Sequence, residues 1–136
     1  MQTIIVSDMD HHKLTHLLES LSPQRREELE GLENELFRAD IIPVAEMPAD
    51  IVTMGSTVVY EDMDSGRIVV VQITYPEEAD IESGKISILA PVGAALLGLR
   101  VGQSISWPLP HARIGRLRVK QIKPSAGAEA SPRKSA

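Results

Sequence analysis

Ala90-Pro91-Val92-Gly93-Ala94-Ala95-Leu96-Leu97-Gly98-Leu99-Arg100-Val101-Gly102 reads as one short helix carrying its own start and stop signals. A proline fits the first turn of a helix, where its missing N–H has no partner to lose, so Pro91 marks the start. Ala94 to Leu97 are strong helix formers, and Gly98 and Gly102 supply the stop and the turn after it. A helix this short covers one face of a sheet, so the segments around it decide the class of fold.

Outward from the helix, the apolar pattern alternates. Ser56 to Glu61 and Arg67 to Tyr75 read as strands joined by the tight turn Asp64-Ser65-Gly66, and Lys85 to Leu89 is a third, short strand. Beyond the helix, Ser104 to Leu109 and Ile114 to Lys123 are two more, with Pro108, Pro110 and His111 assigned to the loop between them. Strands in this number around one helix predict an α+β domain over residues 52–123, an antiparallel twisted sheet packed on a single helix.

The N-terminal third has the other period. Ser7-Asp8-Met9-Asp10 is a capping-box-like helix start, and Leu14, Leu17, Leu18 and Leu21 then fall on one face. Ser22-Pro23 restarts a helix with a cap and a first-turn proline, followed by Leu29, Leu32 and Leu36 at the same spacing. The pattern predicts a short antiparallel helical hairpin over residues 1–42, a short coiled coil whose tip is Leu21, Ser22, Pro23 and Gln24. Arms of about 14 to 17 residues span roughly 21 to 25 Å. Gly31 costs the second arm ~1 kcal/mol relative to alanine, so support from Phe37 or from the following domain is expected. Pro43 and Pro48 mark residues 43–51 as a linker, and residues 124–136, rich in Ala, Ser, Pro and charge, are expected to be a disordered tail.

Composition removes several classes of function. No cysteine is present, so disulfides, thiolate nucleophiles and Cys-based zinc sites are excluded. The aromatics are Phe37, Tyr60, Tyr75 and Trp107, too few to suggest an aromatic-lined ligand pocket, and no small-molecule substrate or cofactor is expected. Trp107, beside Pro108, is expected to be a core residue of its strand. The apolar run Ile4-Ile5-Val6 is too short for a signal peptide or a membrane span, which points to a cytoplasmic protein with no membrane partner.

Charge is unevenly placed. Residues 1–40 sum to −5, residues 41–99 to −7 and residues 100–136 to +7. Arg116, Arg118 and Lys120 share one strand parity and, with Arg113 and Lys123, form a strip that either makes a weak nucleic-acid contact or offsets neighbouring acids. Glu27, Glu28, Glu30, Glu33 and Glu35 read as the wet side of an amphipathic helix, with an acidic docking surface as the alternative. Asp8, His12 and His16 are spaced four apart on one helix face, a spacing that suits a divalent ion, but no further ligand is evident and no metal site is assigned.

Several of these segments follow, in order, one family pattern from about Val52 to Ile122. They are Met63-Asp64-Ser65-Gly66 at the turn, Ile86-Ser87-Ile88 entering Pro91, Ala95-Leu96-Leu97-Gly98 on the helix, and Gly102-Gln103 after it. This half resembles the C-terminal domain of the Gre transcript-cleavage factors (GreA/GreB). The run Ala90 to Gly102, and Glu46-Met47-Pro48 with Val52-Thr53-Met54, are especially similar to the Rnk branch of that family, the regulators of nucleoside diphosphate kinase.

The resemblance implies an FKBP-like fold for this half and RNA polymerase as the partner, docked near the rim of its secondary channel. In Gre factors a long N-terminal coiled coil enters that channel and presents acids to the catalytic magnesium. Here the hairpin is much shorter, its tip carries no acid, and the nearest carboxylates are Glu19, Glu27 and Glu28. Metal-assisted hydrolysis needs direct or one-water coordination, so the expectation is a regulator of transcription elongation that competes with Gre factors without stimulating transcript cleavage.

The docking step before the helix in Gre factors is typically Asp-Ser-Pro; here it is Leu89-Ala90-Pro91. Leu89, Ala90, Pro91 and Val92 are therefore the expected polymerase-binding residues, through van der Waals rather than charge-assisted contact. The enzymatic alternative is an FKBP-type peptidyl-prolyl isomerase, which requires an aromatic-lined cleft. No Gly-rich loop followed by Lys-Ser or Lys-Thr occurs, so an effect on nucleoside diphosphate kinase is expected to be indirect.

Overall fold

The computed structural model describes residues 3–109 and 113–123, the side chain of Leu109 excepted, so Pro110, His111 and the tail 124–136 lie outside the described residues. The chain divides into two compact units, Met1–Pro48 and Ala49–Ala136.

In the first unit, β1 (Ile5–Ser7) runs directly into α1 (Asp8–Glu19), followed by α2 (Pro23–Glu28), α3 (Glu30–Arg38) and β2 (Asp40–Ile42). Both foreseen caps form. Ser7 Oγ accepts the Asp10 N–H at 3.0 Å and Ser22 Oγ accepts the Arg25 N–H at 3.2 Å, each satisfying a donor that the first helical turn leaves open. Leu14, Leu18, Leu29, Leu32 and Leu36 are buried with Ile4 and Val6, and a 3.0 Å hydrogen bond between His11 Nε2 and the Leu36 carbonyl ties α1 to α3.

Three features of this unit differ from the sequence reading. β1 and β2 pair in parallel, Ile5 opposite Asp40 and Ser7 opposite Ile42; three-residue strands are too short to display a period. The second helix is interrupted at Leu29 (φ −108°, ψ 20°), whose N–H bonds the Arg26 carbonyl three residues back. This tightened turn sits beside Gly31, a weak helix former, and leaves Leu29 buried. Phe37 is 90% exposed and gives no packing support. Successive helical residues point about 100° apart, and burial of Leu36 turns its neighbour outward.

The second unit is α+β. Its sheet runs β5-β4-β3-β7-β6, formed by β3 (Thr57–Asp62), β4 (Arg67–Thr74), β5 (Lys85–Ser87), β6 (Ser104–Leu109) and β7 (Arg113–Lys123), with α4 (Pro91–Leu96) between β5 and β6. Val58, Tyr60, Val71, Ile73, Leu117 and Val119 line the buried face, and Ala94, Ala95, Leu96, Leu97 and Leu99 complete the core. The opposite face leaves Ile68 and Val70 exposed. The β3–β4 turn closes with the Gly66 N–H on the Asp62 carbonyl at 2.7 Å, at the position foreseen.

The sheet is mixed rather than wholly antiparallel. β5 pairs with β4 in parallel, Gln72 opposite Lys85, because residues 75–84 carry the chain back across the sheet end through the 3-10 turns Pro76–Glu78 and Ile81–Ser83. Pro108 lies within β6 rather than in the loop, opposite Ile114. β6 is an edge strand, where a residue without an N–H is tolerated. Trp107 lies opposite Gly115 in the register and is half-buried, short of the full core position expected for it.

Candidate docking surface

The step from β5 into α4 is built from backbone. Ile88 is fully buried, and its N–H bonds the Thr74 carbonyl at 2.8 Å, which anchors the strand end. Ser87 then holds the next turn: its Oγ accepts the Leu89 N–H at 3.0 Å and its carbonyl accepts the Ala90 N–H at 2.9 Å. Ala90 is the N-cap of α4, extended at φ −72° and ψ 150°, with no side-chain cap bond, and Pro91 opens the helix. Leu89, Ala90 and Val92 are half-buried and Pro91 is exposed, so the four expected contact residues form one continuous uncharged step. Any partner meeting it gains apolar burial and shape fit rather than ion pairs.

Gly93 sets how closely α4 lies on β5. A Cβ at this position would stand 2.5 Å from the Ser87 carbonyl oxygen and 3.2 Å from Ile88 Cα. After the helix, Gly98 (φ 80°) and Gly102 (φ 94°) turn the chain as the sequence predicts. The returning segment is stitched down on both sides. The Val52 N–H bonds the Leu99 carbonyl, the Val101 N–H bonds the Asp50 carbonyl, and the Gly102 N–H bonds the Val119 carbonyl of β7. Arg100 Nη1 donates to both carboxylate oxygens of Asp50, at 3.0 and 2.9 Å. The step therefore stands on a frame held at its base by β5 and at its end by residues 50–52.

At the α1–α2 turn, Leu21 is half-buried and Ser22, Pro23 and Gln24 are exposed. None carries a charge, and the Leu21 N–H is taken by the Leu18 carbonyl. The 12 residues of α1 span about 18 Å, below the arm length that the leucine spacing suggested.

The remaining candidates resolve into local interactions. The His12 and His16 rings meet edge to face at 4.7 Å, while Asp8 Oδ1 accepts the Met9 N–H at 2.7 Å, and no group of three metal-ligating side chains occurs among the described residues. In the glutamate run, Glu28 pairs with Arg25, Glu33 with Arg26 and Glu35 with Arg38. In the basic strip, Arg116 meets Asp64 at 3.2 Å, Lys120 meets Glu61 at 3.8 Å, and Arg118 lies opposite Glu61 in the register. Two of the strip's five cations, Arg116 and Lys120, are thus offset by acids of their own unit. At Tyr60, burial first, then the Asp62 carboxylate, raises the phenol above its ordinary value against a smaller opposing effect of Arg67.

Sequence and structure comparisons agree on kinship. Residues 47–124 match the family described as transcription elongation factor GreA/GreB, C-terminal, and residues 2–42 match the Rnk N-terminus. The chain is 39% identical over 121 residues, 89% of each sequence, to the regulator of nucleoside diphosphate kinase of Escherichia coli K12. It is 36% identical over 106 residues to transcription elongation factor GreA of Rhodospirillum rubrum, covering 74% of this chain and 68% of that one. Among solved structures, the prokaryotic transcription elongation factor GreA/GreB from Nitrosomonas europaea superposes with a TM-score of 0.73 at 40% identity, covering 91% of this chain and all of that one. With both family segments matched in order, the chain belongs to the GreA/GreB transcription elongation factor family, in the branch that carries the Rnk N-terminal segment.

Proposed function

We propose that this protein docks on RNA polymerase near the secondary channel through Leu89, Ala90, Pro91 and Val92 and competes there with Gre factors without stimulating transcript cleavage. Family membership supports polymerase as the partner and elongation as the stage of transcription acted on. The observation that carries the rest is length combined with chemistry at the tip. An arm of about 18 Å ends in Leu21, Ser22, Pro23 and Gln24, none of which can bind a magnesium ion as a carboxylate does. Without a ligand at the metal the hairpin has no means to hold a second ion or orient a water, and occupancy of the channel rim is the whole effect.

In this reading the N-terminal unit is a short helical hairpin, the second unit an FKBP-like platform for the uncharged step, and the protein acts in the cytoplasm. Any change in nucleoside diphosphate kinase level follows from altered transcription. Prolyl isomerisation is the weaker alternative because Tyr60 is only 8% exposed and packs in the core instead of lining a cleft. Titrating the protein into core polymerase saturated with a cleavage factor tests the proposal: displacement at micromolar concentration supports it, and failure to displace or bind overturns it.

A further inference from the structure

The single phenylalanine of the chain stands where a core residue does not: Phe37 lies in the last turn of α3 at 90% exposure, and Ile41, 49% exposed, follows in β2. The two line a groove of about 440 Å³ within the first unit, together with Leu18, His11 and Glu19. Large apolar side chains left in water beside a concave surface mark a place where another surface sits.

Charge indicates what kind of surface. Arg25, Arg26 and Arg38 are each engaged by a glutamate of their own unit. Glu19 in the groove has no ion pair among the described residues, whereas Arg26 and Glu33, which also line it, pair with each other. Across residues 1–48, ten carboxylates face four lysines and arginines. We infer that this groove is a docking site for a basic amphipathic segment of the polymerase, which covers Phe37 and Ile41 with apolar side chains and brings Lys or Arg to Glu19. The inference rests on the polymerase-binding reading and adds a second point of attachment to the uncharged step. A second copy of this chain is a poorer occupant, because it would set two acidic surfaces against each other.

The test measures the dissociation constant of the full-length chain for purified core RNA polymerase, with Phe37→Ser and Glu19→Lys as variants and thermal unfolding as the control. At 90% exposure Phe37 contributes little to folding, so Phe37→Ser is expected to keep the melting temperature while weakening binding about tenfold or more. Glu19→Lys is expected to weaken binding and flatten its dependence on salt. Wild-type binding with both variants unchanged overturns the groove and leaves the proposed function standing. No wild-type binding removes both. A change of sedimentation coefficient in Phe37→Ser with its polymerase affinity unaltered assigns the groove to a second copy and overturns the inference.

Discussion

Replacing Gly93 by alanine is expected to destabilise the second unit, the reverse of what this exchange does on an open helix surface. There, alanine gains about 1 kcal/mol over glycine through backbone entropy. At position 93 the new methyl stands 2.5 Å from the Ser87 carbonyl oxygen, with the Ser87 carbonyl carbon at 3.3 Å and Ile88 Cα at 3.2 Å. All three are backbone atoms of the β5 end, held by the Ile88-to-Thr74 and Ala90-to-Ser87 hydrogen bonds, so no side chain can swing aside. The helix must lift away, loosening Ala94, Ala95 and Leu96. Overpacking of this kind costs about 3 kcal/mol, and the propensity gain offsets about one of them, leaving roughly 2 kcal/mol.

For a unit of this size that is a fall in melting temperature of roughly 10 °C. Trp107, the chain's sole tryptophan, sits in β6 and reports the unfolding of this unit in a urea or thermal series. Gly66→Ala is the control: its φ is +79° and nothing lies within 4 Å of the added carbon, so it carries the left-handed backbone cost of about 1 kcal/mol without a clash. Gly93→Ala as stable as wild type, or more so, would refute the close approach of α4 to β5.

Other expectations follow from the same packing and electrostatics. Burial raises the Tyr60 phenol in the folded state, so the unfolded chain ionises first and this contribution to stability, complete below pH 10, is lost as pH rises through the folded value. Tyr60→Phe should therefore flatten the alkaline fall in stability, measured by urea midpoints above pH 9; an unchanged slope contradicts the assignment. Ser7→Ala removes the cap on α1 and should cost about 1 kcal/mol, read in the far-ultraviolet circular dichroism melt. Arg100→Ala breaks an ion pair in which a single guanidinium nitrogen meets both Asp50 oxygens and whose side chains are 45% and 46% exposed, and should cost less than about 1 kcal/mol.

The helix at the centre of the second unit was legible because three separate signals agreed: a first-turn proline, a run of helix formers, and glycines that now show positive φ at 98 and 102. The five strands appear within a residue or two of their expected limits for a similar reason, since alternation and the Asp64-Ser65-Gly66 turn point the same way. Pairing direction was not legible. The parallel β4–β5 ladder depends on where residues 75–84 land, which no local pattern records. The break at Leu29 escaped because the apolar spacing of Leu29, Leu32 and Leu36 is the same on a continuous helix as on a bent one.

Of the candidate site, the absence of charge at Leu89-Ala90-Pro91 was plain in the residues, whereas the cradle beneath it was not, because Ser87 and Gly93 act through backbone geometry. Phe37 stands in the sequence as one of two candidate supports for the hairpin, beside the following domain, on its apolar character alone. Leu36 holds the buried position that its spacing with Leu29 and Leu32 foresees, and Phe37, the next residue around the helix, is left outside.

The most direct test of the proposed function is a transcript-cleavage assay on arrested elongation complexes. Addition of this protein alone is predicted to leave the nascent RNA at full length, and addition together with a cleavage factor is predicted to slow that factor's cleavage in proportion to occupancy. Shortened RNA with this protein alone would contradict an arm that ends short of the metal.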